Sequence, residues 1–287
     1  MKIAIFGNKR QDRHLDNLGR FFSSLRAGGV EVCASADFCD YLRGQKLRLE
    51  GIERVEEFPG GVDAVVSIGG DGTFLRAAQW VGMSETPILG INTGHLGFLA
   101  SYSMEENDKL VELLLSRSWE IEERMVLKVE GERVPEGFWP YLLNDMAVLK
   151  GDTTHMVNIR ADVDGYYLAD YLADGLIVST PTGSTAYNLS VNGPILEPTL
   201  KGIILSPIAP HSLTVRPLVL GAETVVDLTV TGRGEECHVA VDGRIFSVPC
   251  DGARLRVVKA PFCVKVLRRP DTDFATILRN KLHWGIR

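Results

Sequence analysis

One short segment of the chain combines a glycine turn with a carboxylate. Residues 67–73 read Ser-Ile-Gly-Gly-Asp-Gly-Thr and lie between an apolar stretch at 63–66 and a helix-like stretch at 74–80. Two glycines after a buried strand let the backbone turn tightly and approach a ligand. A helix that follows directs free N–H groups and its positive dipole end at the same place. The pattern predicts a turn that binds pyrophosphate.

The aspartate in this turn requires a separate explanation. Asp71 would repel a phosphate unless it also holds a hydroxyl, a metal ion or both. We therefore interpret Asp71 as the base that acts on a phosphoryl acceptor. The structural alternative is an N-cap aspartate in a glycine-rich strand-to-helix turn, and the segment alone leaves both readings open.

Two further polar segments offer donors and acceptors for a nucleotide. Residues 179–187 read Ser-Thr-Pro-Thr-Gly-Ser-Thr-Ala-Tyr, and we expect them to present hydroxyl and amide donors to phosphate and ribose oxygens instead of anchoring a core. The alternative is a Ser/Thr-rich surface turn. Asn144 and Asp145 could contact a base edge and a ribose hydroxyl, although such a pair is also common in turns.

The elements that must position these residues change character along the chain. Before about residue 118, apolar strands alternate with helical segments; the strands are 3–6, 30–33, 64–67 and 88–91, and the helices are 15–25, 74–81 and one that carries Leu110, Leu113 and Leu114. From 125 to 267, strands of period two are separated by Asp-Gly turns at 164–165, 242–243 and 251–252. The pattern predicts a Rossmann-like α/β domain followed by a β-sandwich-like domain. We place the domains at 1–122 and 123–270 and expect a helical tail, 271–287, to return to the first domain.

Composition excludes several classes of protein. The chain has 287 residues, 45% of them hydrophobic, and a formal net charge of −6, which argues against binding nucleic acid through a basic surface. Its N-terminus is too short for a signal-peptide core and no apolar run has the length of a membrane span, so we expect a cytoplasmic protein without membrane contact. Five cysteines without a Cys-x-x-Cys pair predict reduced thiols, and neither cysteines nor histidines have the spacing of metal ligands.

Taken together, these segments resemble the NAD kinase family over most of the chain. The matching motifs are residues 69–75, 90–99 (Gly-Ile-Asn-Thr-Gly-His-Leu-Gly-Phe-Leu), 144–145, 174–187, 192–195 (Asn-Gly-Pro-Ile) and 207–213 (Pro-Ile-Ala-Pro-His-Ser-Leu). The first motif is shared with diacylglycerol-type lipid kinases, whereas 93–98 and 180–187 are far more specific.

The resemblance, to the bacterial type of the family, implies an activity and its participants. The implied activity is transfer of the γ-phosphoryl group of ATP to the adenosine ribose 2′-hydroxyl of NAD, with a divalent cation (Mg²⁺) that accompanies ATP. The resemblance also implies that the site lies in a cleft between two domains and that the protein is a homo-oligomer, either a dimer or a tetramer. Asp71 matches the family's proton acceptor. The implied binding residues are Gly70, Gly72, Thr73, Arg76, Asn144, Asp145, His155, Asp174, Thr185, Ala186, Tyr187, Asn188, Leu189 and Ser190. No set of carboxylates for the metal is evident, so we expect the donor phosphates to hold it.

Two other functions remain possible at this stage. A lipid kinase shares the Gly-Gly-Asp-Gly-Thr turn, but the chain lacks an evident amphipathic segment for a membrane surface. A non-catalytic NADP-binding sensor would have no use for a base at Asp71. Arg244 stands where a glutamine is common in the family, which leaves acceptance of NADH open.

Overall fold

The computed structural model describes residues 1–94, 97–100, 102–151, 154–268, 273–283 and 285. Its strands are β1 (Lys2–Gly7), β2 (Glu31–Ser35), β3 (Ile52–Val55), β4 (Ala64–Ile68), β5 (Ile88–Asn92), β6 (Tyr102–Ser103), β7 (Glu120–Glu130), β8 (Tyr141–Leu142), β9 (Asp145–Lys150), β10 (Val157–Val163), β11 (Tyr166–Ala173), β12 (Gly175–Ser179), β13 (Gly202–Ile208), β14 (Leu218–Gly221), β15 (Val226–Val241) and β16 (Arg244–Arg268). Its α-helices are α1 (Leu15–Ala27), α2 (Ala36–Gly44), α3 (Asp71–Val81), α4 (Asn107–Ser116), α5 (Tyr187–Ser190) and α6 (Phe274–Leu282).

The described residues form two compact units. The first contains Met1–Glu123 and the returning segment Val264–Arg287, and the second contains Arg124–Cys263. The boundary therefore falls inside β16, which begins in the second unit and ends in the first. The sequence-based limits at 122 and 270 stay predictions.

The first unit is built on a parallel sheet with the order β3-β2-β1-β4-β5. β4 and β5 are buried along their whole length, as strands covered on both faces require, and they consist mostly of aliphatic residues. The chain order reverses direction between β1 and β4, which makes the carboxyl ends of these two strands a topological switch point, the usual ligand position in such sheets. β4 ends at Ile68, immediately before the glycine turn.

The helices of the first unit confirm most of the periodicity analysis. α1, α3, α4 and the tail helix α6 all lie where apolar spacing predicted them. On α1 the buried residues Leu18, Phe21, Phe22 and Leu25 form one stripe. The sequence analysis missed α2 and β3. β3 has only four residues, and its inner two are charged and exposed, so it lacks the alternation of apolar and polar residues that indicates a strand.

The second unit is antiparallel β, as predicted. Val163 pairs with Tyr166 around the Asp164–Gly165 turn, and Val241 pairs with Arg244 around Asp242–Gly243, so both predicted hairpins are confirmed. The third prediction is wrong. Asp251–Gly252 lies inside β16, where Val230 pairs with Ala253 and Thr231 with Asp251, which makes Gly252 an extra residue in a β-bulge.

The prediction of reduced cysteines is also wrong for one pair. Cys237 on β15 and Cys250 on β16 form a disulfide, with their Cα atoms 5.8 Å apart. Both residues are buried in the core of the second unit. Cysteine spacing could not reveal the pair, because it depends on the register of two long strands. Within the described residues, no helix is both long and apolar enough to span a membrane.

Candidate active site

The glycine turn after β4 is fixed by backbone contacts. The Gly69 N–H donates to the Ile91 carbonyl at 2.9 Å, which ties the turn to the end of β5. Gly69 has φ +154°, and a Cβ there would lie 2.3 Å from Thr73 Oγ1, so this position requires glycine. The Gly70 carbonyl then accepts from the Thr73 N–H at 2.9 Å and begins α3. The turn therefore places the first residue of α3, Asp71, at the switch point of the sheet.

The Asp71 carboxylate is bound by three consecutive backbone amides. The Phe98 N–H donates to Oδ2 at 2.7 Å, and the Leu99 and Ala100 N–H groups donate to Oδ1 at 3.0 and 3.2 Å. The N-cap of α3 is Gly70, which has no side chain to accept a bond. The N-cap alternative for Asp71 is therefore wrong, since its side chain binds the loop after β5 and not the N–H groups of its own helix.

The loop that binds Asp71 approaches it closely. A Cβ on Gly97 would lie 1.8 Å from Asp71 Oδ1 and 2.6 Å from Oδ2. Gly97 therefore leaves the space that the carboxylate occupies. His95 and Leu96, part of the motif at 93–98, lie outside the described residues.

The other residues predicted in this turn occupy the first turns of α3. Gly72 and Arg76 are exposed, whereas Thr73 is buried beneath them. The Arg76 Nη2 lies 3.5 Å from Thr73 Oγ1, the outer limit of a hydrogen bond, so most donor capacity of the guanidinium faces solvent. The start of α3 thus offers helix-terminal N–H groups and a guanidinium to an anion.

In the second unit, Asn144 and Asp145 are held by a buried carboxylate. Asp242 accepts from the N–H groups of Leu143, Asn144 and Asp145 at 2.7, 2.9 and 3.1 Å. Burial raises the pKa of Asp242, and the three amide donors and the nearby Arg244 counteract that effect. The sequence analysis treated Asp242 as a turn residue only, so this supporting role was missed.

Arg244 makes its hydrogen bonds within the second unit. Its Nη1 and Nη2 atoms donate to the carbonyls of Trp139 and Tyr141 at 2.8 Å, and its guanidinium lies 5.4 Å from the centre of the Phe138 ring. Its Nε donates to the Val241 carbonyl at 3.1 Å, so the guanidinium supports the start of β8 and the end of β15.

Asp145 has the most perturbed acidity of the predicted site residues. Burial, followed by the negative charge of Asp242, raises its pKa to about 7, and a hydrogen bond from the Tyr187 backbone N–H lowers it in part. This bond joins the Asn144–Asp145 segment to the hydroxyl-rich segment. Asp145 is thus a carboxyl group that changes charge near neutral pH.

The hydroxyl-rich segment is more buried than the sequence predicted. Ser179, Thr180, Thr182 and Ser184 are all buried. The hydroxyls of two of them bind backbone atoms across the unit: Thr180 Oγ1 donates to the Leu143 carbonyl at 2.5 Å, and Ser184 Oγ accepts from the Leu196 N–H at 3.0 Å. The expectation that the hydroxyls serve a ligand instead of packing inside the domain is therefore wrong for Thr180 and Ser184, and the alternative of a surface turn is wrong for the buried residues 179–184.

The residues that follow differ in their access to a ligand. Asn188 is buried, and its side-chain amide binds the carbonyls of Ser184 and Pro194 and the hydroxyl of Ser206. Its side chain therefore supports the segment. The residues left wholly or partly accessible are Thr185, Ala186, Tyr187, Leu189 and Ser190.

Asp174 and His155 belong to a different group. Asp174 forms an ion pair with Lys150 at 2.7 Å, and His155 lines a small hollow beside Lys150 and the Cys237–Cys250 disulfide. Because β9 runs from Asp145 to Lys150, these residues lie at the other end of that strand, about 17 Å away at ~3.4 Å per residue. The structure brings Asn144, Asp145 and Tyr187 together but not Asp174 and His155 with them.

Comparison with known proteins decides the family. The model of the ATP-NAD kinase N-terminal domain matches residues 45–118, and that of the C-terminal domain matches residues 143–269. A Bacteroides fragilis protein named NAD kinase is 42% identical over 99% of this chain and 98% of its own length. The chain belongs to the NAD kinase family. A Porphyromonas gingivalis NAD kinase is 40% identical over 99% of this chain and 98% of its own.

Solved NAD kinase family structures have the same fold. Yeast NADH kinase, crystallised with NADH, gives a TM-score of 0.87 at 22% identity and covers 100% of this chain and 89% of that one. An Archaeoglobus fulgidus NAD kinase in complex with ATP gives a TM-score of 0.73 at 28% identity, over 94% of both chains. The predicted combination of an α/β and a β-rich domain is confirmed.

Proposed function

We propose that this NAD kinase family member transfers the γ-phosphoryl group of ATP to the adenosine ribose 2′-hydroxyl of NAD. The observation that carries the proposal is the Asp71 carboxylate, held by three consecutive amides at the carboxyl end of β4. Family membership along the whole chain supports the same reaction and disfavours the lipid-kinase alternative.

Asp71 has the atoms that proton removal requires. Oδ1 accepts two amide bonds, whereas Oδ2 accepts one, so Oδ2 keeps capacity for the proton of an acceptor hydroxyl. In the proposed step the bond between the γ-phosphorus and its β-bridging oxygen breaks, and ADP leaves with that electron pair. The ribose oxygen forms the new bond to phosphorus and its proton passes to Asp71. Such a base contributes about 10²–10⁴ in rate.

A divalent cation, Mg²⁺ by the chemistry of ATP, is part of the proposal. Within the described residues, no group of three His, Cys, Asp or Glu side chains could hold a metal ion. Both Asp71 oxygens already accept amide hydrogens, so the phosphates of ATP would supply most of the ligands. When bound there, the cation neutralises charge on the phosphates. Gly70 and Gly72 contribute N–H groups and Arg76 contributes a guanidinium to the same anion, while Thr73, whose N–H donates to the Gly70 carbonyl, supports the turn.

The second unit is proposed to hold the dinucleotide. Half-buried Asn144 is proposed to contact the base, and Asp145 in its charged form to accept a ribose hydroxyl. Thr185, Ala186, Tyr187, Leu189 and Ser190, which are wholly or partly accessible, are proposed to contact the rest of the dinucleotide. Asn188 contributes by supporting this segment. Asp174 and His155, at the other end of β9, are proposed as a separate contact group for the dinucleotide.

Direct detection of the phosphorylated product tests the proposed function. Purified protein is incubated with ATP, Mg²⁺ and NAD, and NADP is measured by a coupled dehydrogenase assay. An NAD analogue without the adenosine ribose 2′-hydroxyl should bind as a competitive inhibitor and accept no phosphate. Phosphorylated analogue would move the acceptor to another hydroxyl, and labelled phosphatidic acid from diacylglycerol micelles would favour the lipid kinase. Binding of NADP without turnover would favour the sensor.

Cytoplasmic location and assembly into a dimer or tetramer also belong to the proposal. The full-length match to bacterial NAD kinases supports a small-molecule enzyme that acts on NAD and ATP. Sedimentation velocity would determine the number of subunits.

A further inference from the structure

A lysine from the chain's last helix lies beside the Asp71 loop. α6 begins at a capped N-terminus, where the Asp273 side chain accepts from the Thr276 N–H at 2.7 Å. Near its other end, Lys281 directs Nζ to 4.6 Å from the centre of the Phe98 ring. Phe98 is the residue whose N–H donates to Asp71 Oδ2. The ammonium group and the proposed base therefore both contact Phe98, the first at its ring and the second at its N–H, and all three residues belong to the first unit.

The surroundings of Lys281 are unusual for a surface lysine. Burial lowers its pKa to about 8, and the Asp71 carboxylate opposes this effect. Phe98 faces the ammonium from the loop, and Arg279, on the same helix, donates to the Thr276 hydroxyl instead. Within the described residues Lys281 belongs to no ion pair, so Asp71 compensates its charge at a distance. A partly buried cation of this kind is suited to a second negative group.

The reaction brings such a group to this place. While Asp71 removes the hydroxyl proton, the attacked phosphorus must lie next to that hydroxyl, and its three non-bridging oxygens carry the charge of the transition state. We propose that Lys281 is a catalytic residue that binds the phosphoryl group during its transfer from ATP to the acceptor hydroxyl. Lys281 keeps its proton throughout and stabilises charge, while Asp71 accepts the hydroxyl proton.

The proposal rests on the proposed function and adds a residue that none of the sequence motifs contains. Lys281 lies far along the chain from Asp71, in a helix that the sequence analysis treated only as structural. Its contact with the Phe98 ring is also consistent with a purely structural role, in which Lys281 holds α6 against the loop. The experiment must therefore separate charge from packing.

Three variants make this separation. Lys281→Met keeps the length and the apolar stem over Phe98 but removes the charge, and Lys281→Arg keeps the charge. Arg279→Met removes an exposed cation from the same helix and serves as the control. We expect Lys281→Met to lose about 10²-fold in kcat, with the KM for NAD within about twofold of the original, because a donor to transition-state charge is lost. Lys281→Arg should recover part of this loss, and Arg279→Met should match the unchanged protein in kcat.

The pH dependence of kcat/KM for ATP distinguishes a role of the Lys281 charge from a role of its packing. In the unchanged protein, kcat/KM for ATP should fall as pH rises through about 8, where the free ammonium loses its proton. In Lys281→Arg the fall in kcat/KM for ATP should occur at higher pH, since a guanidinium stays charged. The melting temperature of each variant reports on folding.

The outcomes distinguish the two proposals. If the unchanged protein forms no NADP, the proposed function fails. The role of Lys281 is overturned, while the function stands, in two cases. In the first, the unchanged protein forms NADP and Lys281→Met retains more than a third of kcat. In the second, kcat/KM for ATP falls at the same pH in Lys281→Arg as in the unchanged protein. A loss of activity matched by a large fall in melting temperature and not relieved by arginine would assign Lys281 a structural role.

Discussion

At the residue scale, the position of the Asp71 carboxylate depends on the missing side chain at Gly97. The three amides that bind Asp71 follow Gly97 directly, and a methyl group at Gly97 would occupy the space of the carboxylate. Gly97 does not have a left-handed φ, so alanine meets no backbone strain there. The conflict is between two side chains and can be relieved by moving Asp71.

Gly97→Ala should therefore displace the base without unfolding the protein. We expect kcat to fall by about 10²-fold, the scale of loss for a misplacement of roughly 1 Å. Gly19→Ala is the matched control, because a Cβ at Gly19 in α1 meets nothing within 4 Å and should stabilise the helix by about 0.5–1 kcal/mol. Wild-type kcat in Gly97→Ala would mean that the carboxylate position is unimportant for the chemistry.

Asp145 makes stability depend on pH. Its folded-state pKa of about 7 is raised above the unfolded value, so the folded protein holds this proton more tightly. The stabilising contribution of protonated Asp145 to the free energy of unfolding is fully present below the unfolded pKa, near 4. This contribution is lost as the pH rises to about 7. The charged carboxylate near Asp242 is thus unfavourable to folding at neutral pH.

Asp145→Asn should remove this cost. Asparagine can accept from the Tyr187 N–H and donate to Asp242, so the free energy of unfolding at pH 8 should rise, by at most about 4 kcal/mol from the size of the pKa shift. Urea unfolding between pH 4 and 8 measures the effect, and the gain should vanish near pH 4. The same variant should raise the KM for NAD. A variant less stable than the original at pH 8 would contradict the account of Asp145.

At the element scale, the hydroxyl-rich segment shows why residue type alone did not predict access. Serine and threonine resemble ligand donors in a sequence, but here Thr180 and Ser184 satisfy backbone groups inside the second unit. The sequence analysis located the segment and could not distinguish inward from outward hydroxyls. That distinction depends on the approach of Leu143 and Leu196, which are distant in sequence.

The β15–β16 pair carries the disulfide, and its contribution can be measured. The bond closes a loop with a sequence separation of 13, for which chain entropy predicts about 3 kcal/mol of stabilisation. Reduction should therefore lower the melting temperature, whereas a Cys237→Ala/Cys250→Ala double variant should not respond to reductant. Alkylation under denaturing, non-reducing conditions should leave Cys237 and Cys250 unlabelled. Labelling of both would contradict the bond.

At the scale of the whole molecule, the sequence predicted more of the fold than of the site. Hydrophobic periodicity located β1, β4, α3 and α6, and Asp-Gly pairs located two hairpins. The turn at 69–73 indicated Asp71. The sequence could not predict the groups that hold the site residues, which are the amides of 98–100 and the Asp242 carboxylate. These groups come from distant segments and act through hydrogen bonds that involve backbone atoms.

Asp71 is the proposed base of NAD phosphorylation, and the kcat of Asp71→Asn measures its contribution to the reaction. Asparagine keeps an oxygen for Leu99 and Ala100 but turns an NH₂ group toward the Phe98 N–H, so we expect a small fall in melting temperature. NADP formation from ATP and NAD should fall by about 10²–10⁴ in kcat with both substrates still bound. A kcat above about a tenth of the wild-type value would be a smaller loss than removal of a general base causes. That result would show that Asp71 is not the base.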